Sequence, residues 1–588
     1  MSRKNRLNIL MTFLIPATFL FVGLTLIFIL VRLMPGDPTS AYLPINASIE
    51  HREAVRRYLG LDLPIIIQYL RYIGDFLTGN LGLSSNISRG QPVINLLGER
   101  NPRTYEVMIL PLLIGGGLGY LISRISKRSK RNWSKNVIQI ISALFIAVPI
   151  FFFGMFSQYI FTYVVDWFPA VGYKTAGYPN PPLITGFRIL DSMISGQLYL
   201  AVDTMYHYAL PMIILTLVIT AVMTRFFSSN RVKDSYKKNT ILSNTAKTST
   251  TFGALLAFSI LIETTFNLKG VGNLMISAIR RYDFFMIQGV LIVILVLLAI
   301  TLLVSNLAFS LYGLRGDRLP KEGLEEPTEV ELKLSIKEDV MHYLKQIARS
   351  PLSIIGIIAV VIPIIMAIFP ELISGYTQYD VTSFFWNAWE PPSPDHLLGT
   401  GVYGRDVFAQ ILFGIRDSLI FGAGAVLVGL IGGLAFGLLA SKFTRKLPTI
   451  INSVTLVFYV FPGLVLLMVF ASILGPYAGL YALITGLLLI PSFTRIIGNT
   501  EFRVVPITKK VVSYLPLFAG FAILLYATIA FLGYGDARTI TLGNIIAKGR
   551  YHLYDAPWAT FWPGFAIFLF LISLFVLHEG LAKSSSSR

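Results

Sequence analysis

FMIQGVLIVILVLLAITLLVSNLAFSL, at positions 285–311, runs without a single charged side chain. A helix needs about 20 apolar residues to cross a hydrocarbon core of about 30 Å, and this stretch exceeds that. It reads as a membrane span, and its flanks set the architecture. Downstream comes a charged segment, 314–350, punctuated by Pro320 and Pro327. Beyond it, apolar runs resume at 352–373, 418–441, 449–474, 477–497, 515–532 and 560–577. Upstream they fall at 9–33, 106–123, 137–165, 208–227 and 252–266, with 285–311 closing the set. Each block is one span, a long loop and five more spans. One membrane plan is written twice, and a pathway built from two pseudo-equivalent halves lies at their interface. The expected fold is an all-α polytopic membrane protein of about twelve spans. Its first half is 1–313 with an external region at 34–105. A linker at 314–350 leads to a second half, 351–588, with an external region at 375–417.

Composition agrees. The 588 residues are 54% hydrophobic and 14% charged, outside the range of soluble domains. Net charge is +18, gathered at span ends: Arg3, Lys4 and Arg6; Arg124 to Lys135; Arg225 to Lys247; Lys442 to Lys446; Arg495 to Lys510; and Lys583 with Arg588. By the positive-inside rule these lie in the cytoplasm, with both termini. Basic residues in short loops at membrane edges meet anionic lipid headgroups, so the charge points to membrane lipids and not to nucleic acid. The basic start and long apolar run of 9–33 read as a retained first span and not as a cleaved signal. With no cysteine, disulfides, thiolate metal sites and thiol catalysis are excluded.

Catalytic signatures are missing. There is no Walker A motif, no Gly-x-Ser-x-Gly and no His-Glu-x-x-His. The six histidines are scattered, which argues against a metal cluster. No enzyme, bound cofactor or metal is expected in this chain.

Within 34–105, Ser48 is placed to cap a helix over 48–58. Pro64 opens a second, with Ile66, Tyr69, Leu70, Ile73, Phe76 and Leu77 at helical spacing. These helices are expected on the outer membrane surface or on other spans. Asn46 and Asn86 open glycosylation sequons on the same side. In the linker, 335–348 patterns as an amphipathic helix, and the segment as a whole reads as a spacer joining two once-separate polypeptides. The second span of each half is glycine-rich, with Gly115, Gly116, Gly117 and Gly119 against Gly429, Gly433 and Gly437. Glycines at that spacing let another backbone approach closely, either as plain packing or as a sliding surface. Glu263 is an ionisable residue inside a short span, and such a residue is a candidate for the pathway or its gate, against a capping role. Arg225 and Arg495 end equivalent spans and read as topology anchors.

Several motifs carry a family resemblance. Arg32-Leu33-Met34-Pro35-Gly36-Asp37-Pro38, Leu59-Gly60-Leu61-Asp62-Leu63-Pro64, Gly79-Asn80-Leu81-Gly82, Glu263-Thr264-Thr265-Phe266 and Tyr282-Asp283 occur in order. They resemble the first permease subunit of the oligopeptide/dipeptide/nickel family of binding-protein-dependent ABC importers. His396-Leu397-Leu398-Gly399-Thr400, Gly404-Arg405-Asp406-Val407, Phe531-Leu532-Gly533-Tyr534-Gly535 and Asp555-Ala556-Pro557-Trp558 resemble its partner permease. The resemblance covers nearly the whole chain outside the linker. It implies both permeases in one chain, with two six-helix halves of the type I importer fold. Peptides, or related small solutes such as oligosaccharides, would cross by alternating access. The implied partners are two ABC ATPase domains, which would bind ATP and Mg, and an extracytoplasmic substrate-binding protein. That protein would dock on the two external regions, where Asp37, Asp62, Arg405 and Asp406 are candidate contacts.

One departure concerns coupling. The family's cytoplasmic loop between the fourth and fifth spans carries Glu-Ala-Ala and a following Gly. Neither 225–251 nor 495–514 shows it. The candidate coupling residues are instead Asp234, Tyr236, Lys237, Lys238, Glu501, Arg503, Lys509 and Lys510. A rival reading follows: a permease-derived scaffold or receptor that has lost its ATPases.

Overall fold

Pro149 breaks what the sequence presents as one span. Proline lacks an N–H and disfavours helical geometry in the residue before it. The run 137–165 therefore folds as two helices bent by 88°. In the computed structural model the described residues are 3–34, 38–44, 46–129, 132–229, 253, 255–315, 336–442, 463–498, 504–536 and 539–586.

The first half comprises α1 (Arg3–Leu33), α2 (Ile49–Tyr58), α3 (Ile65–Thr78), α4 (Val93–Arg128), α5 (Asn132–Ala147), α6 (Ile150–Gln158), α7 (Arg188–Ile194), α8 (Leu198–Ser229), α9 (Leu255–Thr265), α10 (Val271–Arg280) and α11 (Phe284–Arg315). The linker holds α12 (Ile336–Arg349), and the second half comprises α13 (Pro351–Ile368), α14 (Pro370–Ser374), α15 (Val407–Lys442), α16 (Gly463–Leu474), α17 (Ala478–Gly498), α18 (Val504–Ile529), α19 (Leu542–Gly549) and α20 (Trp558–Ser586). No strand occurs among the described residues, so the all-α expectation holds. Among them, nine helices are long and apolar enough to cross a membrane, or ten if the bent pair is one span. The two other runs of the expected twelve appear as the shorter apolar helices α9 and α16.

The duplication is visible in the packing. In each half the first span packs along the sixth, α1 on α11 and α13 on α20. In each half the second packs along the fourth, α4 on α8 and α15 on α17. Glycine makes the second pairing close. A Cβ on Gly119 would sit 2.9 Å from the Thr220 carbonyl, and one on Gly433 would sit 2.2 Å from the Phe493 Cβ. The glycine stripes thus serve helix packing.

Both second spans are longer than expected. α4 and α15 each hold 36 residues, about 54 Å at 1.5 Å per residue. Residues 93–105 and 407–417, expected in the external regions, are the first turns of these helices. Ser48 caps α2 through its Oγ, which accepts from the His51 amide at 3.3 Å, and Pro64 precedes α3, as read from the sequence. α3 lies on α1, with Tyr69 and Tyr72 ring centroids 5.3 and 5.4 Å from that of Phe28. In the linker, α12 packs on α13, α18 and α20, while 316–335 lie outside the described residues.

Candidate functional site: the seam and its two ends

Glu263 is 1% exposed at the end of α9. Its Oε1 accepts from the Thr104 hydroxyl at 2.6 Å and its Oε2 from the Asn273 amide at 3.1 Å. Thr104 Oγ1 in turn accepts from the Val271 amide at 2.9 Å. The pair thus satisfies the open N–H groups at the start of α10, where negative charge also suits the helix dipole. Gly270 leaves room: a Cβ there would lie 2.3 Å from the Glu263 carboxyl carbon. The geometry gives this carboxylate a cap to hold.

Asp283 does comparable work at the start of α11. Its carboxylate accepts from the Ser84 hydroxyl at 2.6 Å, from the Ser85, Asn86 and Ile87 amides at 3.0–3.1 Å, and from Met286 N at 3.3 Å. The loop before α4 is thereby fastened to the sixth span. The Asn86 amide nitrogen is engaged too, donating to the Arg281 carbonyl at 2.7 Å.

The loops entering both second spans close the same way. Leu83 bridges Pro92 and Thr400 bridges Asp406, each antiparallel. Val93 N donates to Gly82 O and Val407 N to Gly399 O, both at 3.0 Å. One docking candidate lies inside this closure. Asp406 is buried, its Oδ1 accepting from the Ala409 amide at 2.7 Å and its Oδ2 lying 3.0 Å from His396 Nδ1. This carboxylate caps the start of α15. Asp62 is exposed, and Asp37 lies outside the described residues.

Arg405 is half-buried, donating from Nε to the Ser383 carbonyl at 2.8 Å and from Nη2 to Thr382 O. Beside it a cavity of about 100 Å³ is lined by Arg405, Gln410, Thr541, Asn544 and Lys548. Arg405 Cζ and Lys548 Nζ lie 5.0 and 5.7 Å from the centroid of one ring, Tyr403. Burial first, and Arg405 second, hold the Lys548 ammonium below the usual lysine range.

The halves meet along a seam. Past α18 the chain turns left-handed at Gly533, φ +91°, just after the Leu532 carbonyl. Arg280 Nη2 of the first half donates to it at 2.7 Å. Tyr534 Oη donates to Ile276 O at 3.2 Å. Phe151 stacks on Phe531 at 4.6 Å, and Tyr163 meets Tyr554 at 5.5 Å. Toward the other end, Arg225 pairs with Glu579 at 3.3 Å and lies 4.5 Å over the Phe575 ring. Arg225, read as an anchor, therefore also joins the halves.

Of the coupling candidates, Asp234, Tyr236, Lys237, Lys238, Glu501 and Arg503 lie outside the described residues. Lys509 sits 5.7 Å over the Tyr343 ring of α12, and Lys510 is exposed. Sequence reasoning missed Arg280 and the cavity-lining Lys548. It also missed a repeat that was available to it: Val271-Gly272-Asn273-Leu274 against Leu542-Gly543-Asn544-Ile545. In both, the glycine is the second helical residue and presses on the preceding span, 2.7 Å from Ile260 Cα and 1.9 Å from Ala527 O for an added Cβ.

No family model matches the chain. Curated relatives do. The di/tripeptide transport system permease protein DppB of Pseudomonas aeruginosa is 29% identical over 326 residues, covering 51% of this chain and 94% of the relative. The dipeptide transport system permease protein DppB of Alkalihalophilus pseudofirmus is 28% identical, over 49% of this chain and 92% of the relative. DppC of the same organism is 28% identical over 263 residues, 40% of this chain and 86% of the relative. Each relative is matched over most of its own length by about half of this chain. The homologues are thus peptide-transport permeases, as the sequence motifs indicated, and the chain is an integral membrane protein.

Proposed function

We propose that this chain is the transmembrane permease component of a peptide ABC importer, with both permease halves in one polypeptide. The observation that carries the reading is the repeated pairing of first with sixth and second with fourth spans. Relatives that are dipeptide permeases and occupy about half the chain support it. The domain limits follow as 1–313, 314–350 and 351–588.

Peptide would pass along the seam as the halves rock, the outer clasp at Arg280 and the inner pair at Arg225 parting in turn. The chain is a conduit and not an enzyme. ATP and Mg would act on two separate ATPase domains, seated near Lys509 and Lys510 and the loops that hold Asp234 to Lys238 and Glu501 to Arg503. An extracytoplasmic binding protein would deliver peptide to the face bearing Asp62 and Arg405. Transport-permease relatives favour this over a scaffold without ATPases.

The test is purification in mild detergent followed by vesicle uptake of labelled dipeptide with candidate binding proteins. Two ATPase domains per chain and ATP-dependent uptake are expected. A stable complex of membrane subunits without any ATPase, and no uptake, overturns the reading.

A further inference from the structure

We propose that the cavity at Arg405 and Lys548 is a socket for an acidic side chain of a protein partner outside the membrane. In it, Arg405 and Lys548 receive the carboxylate while Phe384, Trp386 and Tyr403 pack around the segment presenting it. The inference rests on the importer reading for its partner and for which face is outside, but not for its chemistry.

The socket lacks an anion. Two half-buried cations share one ring, and no described carboxylate pairs with either. Withdrawing charges from water is unfavourable unless an opposite charge compensates. The first half shows the compensated version. There Arg103, Arg188 and Lys269 gather on Tyr173 at 5.1–5.5 Å, but Glu99 pairs with Arg103 at 2.8 Å. No described carboxylate takes that part beside Arg405 and Lys548.

A buried amide beside the cations can turn to serve an anion. Gln410 is 4% exposed, lines the cavity, and its Oε1 finds no partner. Rotating that amide turns its NH2 to an incoming carboxylate. The backbone is strained at the same place. Tyr403 stands at φ 63°, a conformation unfavourable for an aromatic residue, and such strain clusters at binding sites.

Size and surroundings choose the occupant. Whole-ligand pockets run to about 300–1,000 Å³, so a cavity of about 100 Å³ takes one functional group and not a peptide. Around it, Phe384 is 60% and Trp386 89% exposed, with ring centroids 5.3 Å apart. Exposed aromatics beside an arginine have the make-up of protein–protein hot spots. A protein that inserts one carboxylate and covers the rings satisfies both features.

The test begins with the full chain in phosphatidylcholine nanodiscs. Acylation of Lys548 is followed by mass spectrometry against exposed Lys510 as reference. Sodium acetate, at ionic strength matched with sodium chloride, should slow Lys548 labelling by about fivefold. Arg405→Gln should abolish that protection while leaving Lys510 labelling unchanged. No protection by acetate overturns the proposal. Protection by phosphatidylglycerol nanodiscs alone, or by dialanine below the effective acetate range, also overturns it, assigning the socket to lipid or to substrate. With a binding protein that stimulates vesicle uptake, docking should shield Lys548. Lys548→Glu should weaken docking, and an acid-to-lysine change on the binding protein should restore it. Stimulated uptake with Lys548 fully reactive refutes the socket and leaves the importer reading standing.

Discussion

Replacing Arg280 with methionine removes the one guanidinium that reaches across the seam to the Leu532 carbonyl, at 2.7 Å. A hydrogen bond from a charged donor contributes about 1.5–3 kcal/mol. Arg280 is an exposed residue, so water competes and the lower figure applies. About 1.5 kcal/mol corresponds to roughly a tenfold change in a two-state ratio. The clasped population should fall about tenfold relative to the parted one. The chain contains no cysteine, so Tyr163→Cys with Tyr554→Cys places two unique labels where the rings now lie 5.5 Å apart. Double electron–electron resonance then reads the distance distribution with and without the Arg280 substitution. A new, longer population is expected in the methionine background. Identical distributions would show that the clasp does not hold the seam.

Glu263→Ala should lower the melting temperature, because the Asn273 amide and Thr104 hydroxyl lose their acceptor at about 1–3 kcal/mol per buried group. Gly433→Ala should destabilise by about 1–3 kcal/mol through overpacking on Phe493, whereas Gly116→Ala, which meets nothing within 4 Å, should be neutral or stabilising in the same melt. Lys548→Met should raise the melting temperature of the chain alone. Its ammonium is held below the usual lysine value, so the unfolded state binds that proton more readily and stability rises with pH through the window below that value. The advantage of methionine should therefore shrink toward alkaline pH, and a constant difference would refute the assignment.

Much of the architecture was legible because apolar length is a strong signal: every expected run coincides with a described helix, in whole or in part. What escaped was polar helix. Residues 93–105 carry Glu99, Arg100 and Arg103, which read as loop until Tyr173 and Glu263 are seen to surround them. The bend at Pro149 was available from its missing N–H, but a continuous apolar run concealed it. Asp406 looked like a surface contact because a carboxylate in a glycine-rich loop gives no sign of the amide it caps. Lys548 was missed for the opposite reason. A lone lysine in an external helix is ordinary until a second cation is found on the same ring.

The latch across the seam has a lopsided genetics. Its acceptor belongs to the main chain, so the oxygen that Arg280 grips survives any side chain that fits the buried space of Leu532. Within this latch, the arginine, or the glycine whose left-handed turn aims that oxygen, offers a single-codon route to a looser door.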